Sequence, residues 1–176
     1  MVLEIIVWVD CCFIIMQLDI KEQSLILEGK KYSRKELMSL SANATGDNTS
    51  SFLLDLYRFL ADWFSDSPFM TVHTSGSTGT PKVLTVRKEQ MMQSARMTCE
   101  FLNLHTGDTA LLCMPLQYIA GKMMVVRALV AGLNLILRTP SGHPLADVTV
   151  PLRFVAMVPL QVFNTLQVLR EKERLC

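Results

Sequence analysis

Thr74-Ser-Gly-Ser-Thr-Gly-Thr-Pro-Lys82 is the stretch on which the reading of this chain turns. Eight of its nine residues are Thr, Ser, Gly or Pro, and the ninth is a lysine. It is too polar for a core, yet it lies between two strand-like runs, Met70-Thr-Val-His73 and Val83-Leu-Thr-Val86. Gly76 and Gly79 accept the positive φ that lets consecutive backbone N–H groups curl toward one point. The hydroxyls of Ser75, Ser77, Thr78 and Thr80 add donors, and Pro81 restricts the direction in which Lys82 leaves. The sum is a cradle for a polyanion, with the phosphates of a nucleotide the best fit. The competing reading is a flexible Ser/Gly linker, but linkers rarely sit between two short β-like runs or end in a fixed Pro-Lys pair. The loop is not a Walker A sequence, because only two residues separate its glycines and its lysine follows a proline.

The totals bound the rest. A chain of 176 residues, 50% hydrophobic and 19% charged, suits one globular domain with a sizeable core. A net charge of +1 gives no electrostatic case for nucleic acid or for an anionic membrane. The cysteines number five, with Cys11 and Cys12 adjacent and Cys99, Cys113 and Cys176 scattered, and no Cys-x-x-Cys occurs. Reduced thiols in a cytoplasm fit this better than a disulfide framework or a zinc site. Val2 to Ile20 is apolar but is interrupted by Glu4, Asp10 and Asp19, so it reads neither as a signal peptide nor as a membrane helix. A buried strand, a core helix and an upstream extension all remain open for it. Residues 1–23 are set apart as an apolar extension, and the organised domain is expected over 24–176.

Along the chain, Ser24 to Tyr32 reads as a hairpin turning at Gly29. Ser33-Arg-Lys-Glu36 has the spacing of a capping box, opening a short helix to about Leu40, and Ser41 to Ser51 reads as a loop. Phe52, Leu56, Phe59, Leu60 and Trp63 recur at helical spacing, so residues 52–64 form a helix with an aromatic core stripe. Strands are expected over 70–74, 83–86, 109–113, 133–137 and 153–158. Helices are expected over 88–102, with Met91, Ala95, Cys99 and Leu102 inward, and from Ile119 to a stop at Gly132, with Ile119, Met123, Val126 and Val130 on one face. Pro159 opens a last helix that carries Val162, Phe163, Leu166 and Leu169 inward. Strands alternating with helices predict an α/β fold of repeated β-α-β units with a mostly parallel sheet, joined right-handed.

At Thr74–Lys82 the chain resembles the signature loop of the adenylate-forming (AMP-binding) superfamily, which includes acyl-CoA synthetases. The stretch Pro115-Leu-Gln-Tyr-Ile-Ala-Gly-Lys-Met-Met-Val-Val-Arg-Ala-Leu-Val-Ala-Gly132 looks most like the o-succinylbenzoate–CoA ligases of menaquinone synthesis. The likeness covers roughly Ser24 to Leu169 and corresponds to the N-terminal part of such an enzyme. It implies the partial N-terminal domain of an acyl-CoA synthetase-like fold. It implies ATP, Mg²⁺ and coenzyme A beside a small-molecule carboxylate. It assigns Thr74, Ser75, Gly76, Ser77, Thr78, Gly79, Thr80 and Lys82 to the β- and γ-phosphates and the leaving pyrophosphate. It further suggests Tyr118 and Gly121 as substrate-binding residues, although Gln117 and Tyr118 stand where those ligases often carry histidine.

Other assignments are bland. Lys122 and Arg127 could meet a substrate carboxylate, but helix charges are more often solvated. His73, His105 and His143 have no metal spacing, and Asp55, Asp62 and Asp66 are assigned no chemistry. The family's Tyr-Gly-x-Thr-Glu segment, its ribose-binding aspartate and its C-terminal catalytic lysine are not found here and are expected beyond Cys176. No catalytic residue is therefore expected within the chain, and acyl-CoA formation by the chain alone is not expected. The rival functions are another acyl- or aryl-CoA synthetase and a non-catalytic remnant or nucleotide-binding module. Exposed apolar helix faces and a sheet edge would favour self-association.

Overall fold

A computed structural model describes residues 19–43, 50–74 and 82–173. The stretch Val2–Leu18, the middle of the predicted loop from Ser41 to Ser51 and the loop residues Ser75–Pro81 lie outside the described residues.

The described residues open with one 3₁₀ turn, Ile20–Glu22, capped by Asp19. Strand β1 (Ser24–Leu27) and strand β2 (Lys30–Ser33) pair antiparallel. Glu28 and Gly29 between them take φ of +47° and +82°, the two positive values of a twisted two-residue hairpin turn. The capping box forms as read: the Ser33 amide donates to Glu36 Oε2 at 2.8 Å and the Glu36 amide to Ser33 Oγ at 3.4 Å. Helix α1 (Arg34–Asn43) outruns its expected end near Leu40, taking in the first residues assigned to the loop. Helix α2 (Ser51–Phe64) buries Phe52, Leu56, Phe59, Leu60 and Trp63, the whole predicted stripe, and packs against α1.

Strands β3 (Phe69–His73) and β4 (Val83–Arg87) pair antiparallel with each other as a separate two-stranded sheet. Helix α3 (Lys88–Phe101) follows β4 directly and buries Met91, Ala95 and Cys99. Leu102, expected inward, is the exposed C-cap, because the helix has ended before it. Lys88 is buried at the start of α3. Its Nζ donates to the Ser65 carbonyl at 2.9 Å and to Ser65 Oγ at 3.2 Å, tying α3 to the end of α2. Desolvation pushes its pKa below the ordinary lysine value, opposed by Asp62 and Asp66.

Strand β5 (Thr109–Leu112), helix α4 (Ile119–Ala131), strand β6 (Asn134–Leu137) and strand β7 (Phe154–Val155) complete the main sheet, ordered β2-β1-β6-β5-β7. The β1–β6, β5–β6 and β5–β7 pairs are parallel, so the sheet is mostly parallel, as expected. Alternation splits the strands between two cores. Ala110, Leu112 and Leu135 join the main core with the helices, while Leu111, Cys113 and Ile136 meet Leu145 and Val148 on the opposite face. A parallel sheet covered on both faces is why β5 reads as an unbroken apolar run. The last strand is two residues long rather than the expected six.

Helix α4 does not show one inward face. It buries Met123, Met124, Val125, Val126, Ala128 and Leu129, around most of its circumference, while Ile119 and Val130 are half-buried. It lies between the sheet and α3, so both sides are covered. Gly132 ends it at φ +68°. Near its start Gly121 packs directly on the chain before the helix. A Cβ there would lie 2.4 Å from the Pro115 carbonyl oxygen and 3.0 Å from that of Met114.

Helix α5 (Pro159–Gln167) begins at Pro159 as expected, and a break at Val168 separates it from helix α6 (Leu169–Lys172). Its expected orientation is reversed. Phe163, Leu166 and Leu169 are exposed and Val162 is half-buried, while Gln161 and Thr165 face inward. Gln161 decides this. Its Nε2 donates to the Cys113 carbonyl at 3.1 Å and the Ser141 carbonyl at 2.9 Å, and its Oε1 accepts from the Val158 amide at 3.1 Å. Three backbone groups at the ends of the sheet thus find a partner that an apolar residue would not supply.

Two predictions follow from this packing. Gln161→Leu should lower unfolding stability by about 2–4 kcal/mol, since it strands buried backbone groups, whereas Phe163→Ser should change it by less than about 0.5 kcal/mol. Denaturant titration of both variants checks the reversed helix; equal losses would contradict it. Gly121→Ala should cost about 1–3 kcal/mol, because the atoms in the way are backbone. A wild-type denaturation midpoint for that variant would show that the Met114–Pro115 chain can move aside.

Candidate functional site

Hydrogen bonding closes the base of the predicted phosphate loop. The β3–β4 register ends at His73 opposite Val83. One step further the Thr74 amide donates to the Lys82 carbonyl at 3.0 Å, and the Lys82 amide to Thr74 Oγ1 at 3.4 Å. The two ends of the loop are thereby fixed side by side. Ser75, Gly76, Ser77, Thr78, Gly79 and Thr80 lie outside the described residues. Lys82 is exposed and Thr74 half-buried.

The second predicted segment comes to the same place. Residues Cys113–Tyr118 leave the carboxyl end of β5 and lead into α4. Ligands of α/β sheets bind outside the carboxyl ends of strands. Tyr118 forms an isolated parallel β-bridge with His73, next to Thr74. One helical turn on, Lys122 Nζ donates to the Thr71 carbonyl at 2.7 Å. Burial pushes the Lys122 pKa below the ordinary lysine value, opposed by Asp62. A charge-assisted bond of this length contributes about 1.5–3 kcal/mol, against the cost of placing a cation in the first turn of a helix. Thr74, Lys82 and Tyr118 are therefore brought together, and Gly121 sits under the Met114–Pro115 chain that leads to Tyr118.

Arg127 turns away from this place. Its guanidinium lies over the Phe154 ring at 5.9 Å and beside Met124 Sδ, and burial lowers its pKa, opposed by Cys99. It packs rather than presenting a cation to a carboxylate. Cys113 is buried, its Sγ 3.6 Å from the Ala156 carbonyl, and desolvation pushes its thiol up to about 11, which makes it an inert core cysteine. Among the described residues no three His, Cys, Asp or Glu side chains gather into a metal site.

Sequence reasoning missed Gln161. The available signal was its place three residues after Val158, at the third position of a helix opened by Pro159, where a glutamine reaches back to the cap amide. It also missed a half-exposed His143 whose Nδ1 lies 3.2 Å from Oε1 of the buried Glu171, itself 3.4 Å from the Thr165 hydroxyl. No spacing rule joins residues so far apart.

A family model described as AMP-binding enzyme matches residues 9–171 of the chain. The 2-succinylbenzoate–CoA ligase of Haemophilus influenzae is 29% identical over 118 residues, which are 67% of this chain and 25% of that enzyme. The crystal structure of an acyl-CoA synthetase (AMP-forming)/AMP-acid ligase II-like protein from Dyadobacter fermentans superposes with a TM-score of 0.67 at 33% identity, over 81% of this chain and 39% of that one. The chain thus spans about a quarter of the curated relative's length and two-fifths of the solved protein's. The family match takes in the closed loop base, the β5–α4 segment and all seven strands of the described residues, and the chain belongs to the AMP-binding enzyme family.

Proposed function

We propose that this chain is the N-terminal part of an AMP-forming acid–thiol ligase, supplying the pyrophosphate-gripping loop and one wall of the acyl site. The observation that carries the reading is the meeting of the Thr74–Lys82 loop base with Tyr118 at the His73 bridge. In the reaction a carboxylate oxygen attacks the α-phosphorus of ATP, and the bond to the bridging oxygen of the β-phosphate breaks. Pyrophosphate leaves, and an acyl-adenylate remains. The sulfur of coenzyme A then attacks the acyl carbonyl and AMP departs. Much of the work is holding polyanions and orienting nucleophiles.

In this reading Ser75, Ser77, Thr78 and Thr80 donate hydroxyl bonds to the β- and γ-phosphates. Gly76 and Gly79 admit the phosphates close to the backbone, Thr74 closes the loop and Lys82 offsets the charge of the departing pyrophosphate. Mg²⁺ enters as the companion of the ATP phosphates. Tyr118 and Gly121 belong to the acyl wall, Tyr118 by its side chain and Gly121 by letting the preceding chain lie close to α4. The narrower reading is o-succinylbenzoate as the acid, within menaquinone synthesis in the cytoplasm. Its support is the resemblance of the Pro115–Gly132 stretch and the likeness to the Haemophilus enzyme. Among the described residues, no helix is long and apolar enough to cross a membrane. The outward apolar side chains of α5 and α6, Leu160, Phe163, Leu166 and Leu169, support self-association of the isolated chain.

Calorimetric titration tests the nucleotide role. Mg-ATP should bind the chain, and Lys82→Ala should weaken binding by about tenfold or more, the worth of one charge-assisted contact. Failure of the wild-type chain to bind Mg-ATP would favour the non-catalytic remnant instead. Purified chain supplied with ATP, coenzyme A and o-succinylbenzoate should form no acyl-CoA over repeated turnovers; sustained product would refute the view that the remaining machinery lies elsewhere.

A further inference from the structure

We propose that Lys122 is a positioning residue that fastens the loop-bearing hairpin to α4 and so fixes the spacing between the phosphate loop and Tyr118. The hairpin needs such a fastening. β3 and β4 pair only with each other among the described strands, and an isolated two-stranded ribbon is marginal in water. Met70 and Val72 bury one face of β3, but Val83, Leu84 and Thr85 of β4 are exposed. Apolar packing therefore holds β3 from below and leaves its free edge unfixed along the strand direction.

Two contacts fix that edge, one from the N-cap of α4 and one from the fourth residue of the helix. The bridge joins Tyr118 to His73, and the ammonium of Lys122 takes the carbonyl of Thr71. Helix and strand are thus pinned at two points rather than one, which removes both sliding and rotation. Among the described residues this is the one side-chain hydrogen bond between the hairpin and α4. A lysine is not what the position favours by itself, because the N-terminal turn of a helix disfavours positive charge. The Thr71 carbonyl at 2.7 Å offsets that cost. Thr71 lies three residues before Thr74, so release at this point frees the strand that enters the loop.

The inference rests on the phosphate-binding reading for its functional consequence, but not for the anchoring itself. The test therefore has two arms on the full chain: peptide-resolved amide hydrogen exchange without ligand, and calorimetric Mg-ATP binding. In Lys122→Met, amides of Phe69–Thr74 should exchange at least about tenfold faster, the equivalent of a lost charge-assisted bond. Exchange in β5 and β6 should stay as in the wild type. Mg-ATP affinity should fall by a similar factor, and Lys122→Arg, which keeps a long cationic donor, should restore both measurements to within about threefold. Unchanged hairpin exchange in Lys122→Met overturns the proposal, whatever happens to ATP, since Lys122 would then act on the ligand directly or not at all. Faster exchange in β5 and β6 as well, or loss of the fold in Lys122→Met with no rescue by Lys122→Arg, also overturns it, by showing a general core role. If the wild-type chain binds no Mg-ATP, the phosphate-binding reading fails, and the exchange arm still decides the anchoring.

Discussion

Parallel pairing of β1, β6, β5 and β7 is the constraint on which the rest of this molecule depends. Parallel neighbours cannot be joined by tight turns, so each return must pass over a face of the sheet, and α4 is the crossover that carries the chain from β5 back to β6. The consequence is a shared polarity. The chain leaves β5, β6 and β7 at one edge, through Cys113–Tyr118, through the loop from Arg138 and through Ala156–Val158. Irregular backbone collects at that edge and has to be satisfied there. Gln161 serves three of these groups at once, and the Glu28 carboxylate accepts from the Leu137 amide at 2.7 Å where β1 has turned away into its hairpin.

The β3–β4 hairpin is a guest on this framework. Among the described residues it adds no strand to the main sheet, and it meets the sheet's carboxyl edge at the Tyr118 bridge and the Lys122 bond. This arrangement separates two demands. The sheet and its two cores supply rigidity, while the hairpin presents a polar loop that could not survive inside a core. Lys88 at one end of the hairpin and Lys122 along its edge are both half or fully buried lysines bound to backbone carbonyls rather than to carboxylates. Each exchanges water for a fixed carbonyl, and each depends on a strand or helix end that has a carbonyl to spare.

Much of the fold was legible because the deciding signals were local. The Ser33–Glu36 box, the Gly29 turn, the stripe from Phe52 to Trp63, Pro159 and Gly132 all act within a few residues, and all appear where the sequence places them. The failures share one cause. Phe163, Leu166 and Leu169 read as an inward stripe because helical periodicity reports which face is apolar, not which side the neighbours occupy; Gln161 won that side through hydrogen bonds to residues 48 and 20 positions away, and Thr165 lies on the same side, bonded to Glu171. Helix α4 misled for the converse reason, since a helix covered on both sides has no single inward face. At the candidate site, Thr74, Lys82 and Tyr118 are named from composition and resemblance. The contact between Lys122 and Thr71 joins positions 51 residues apart and leaves no trace in spacing.

The most direct measurement is a crystal structure of the chain with a non-hydrolysable Mg-ATP analogue. The account predicts the β- and γ-phosphates within hydrogen-bond distance of backbone amides and hydroxyls between Ser75 and Thr80, with Lys82 beside them and Tyr118 within one residue's reach. A triphosphate bound elsewhere, for example in the groove lined by Lys21, Arg34 and Lys35, with the Thr74–Lys82 loop free of it, would contradict the account.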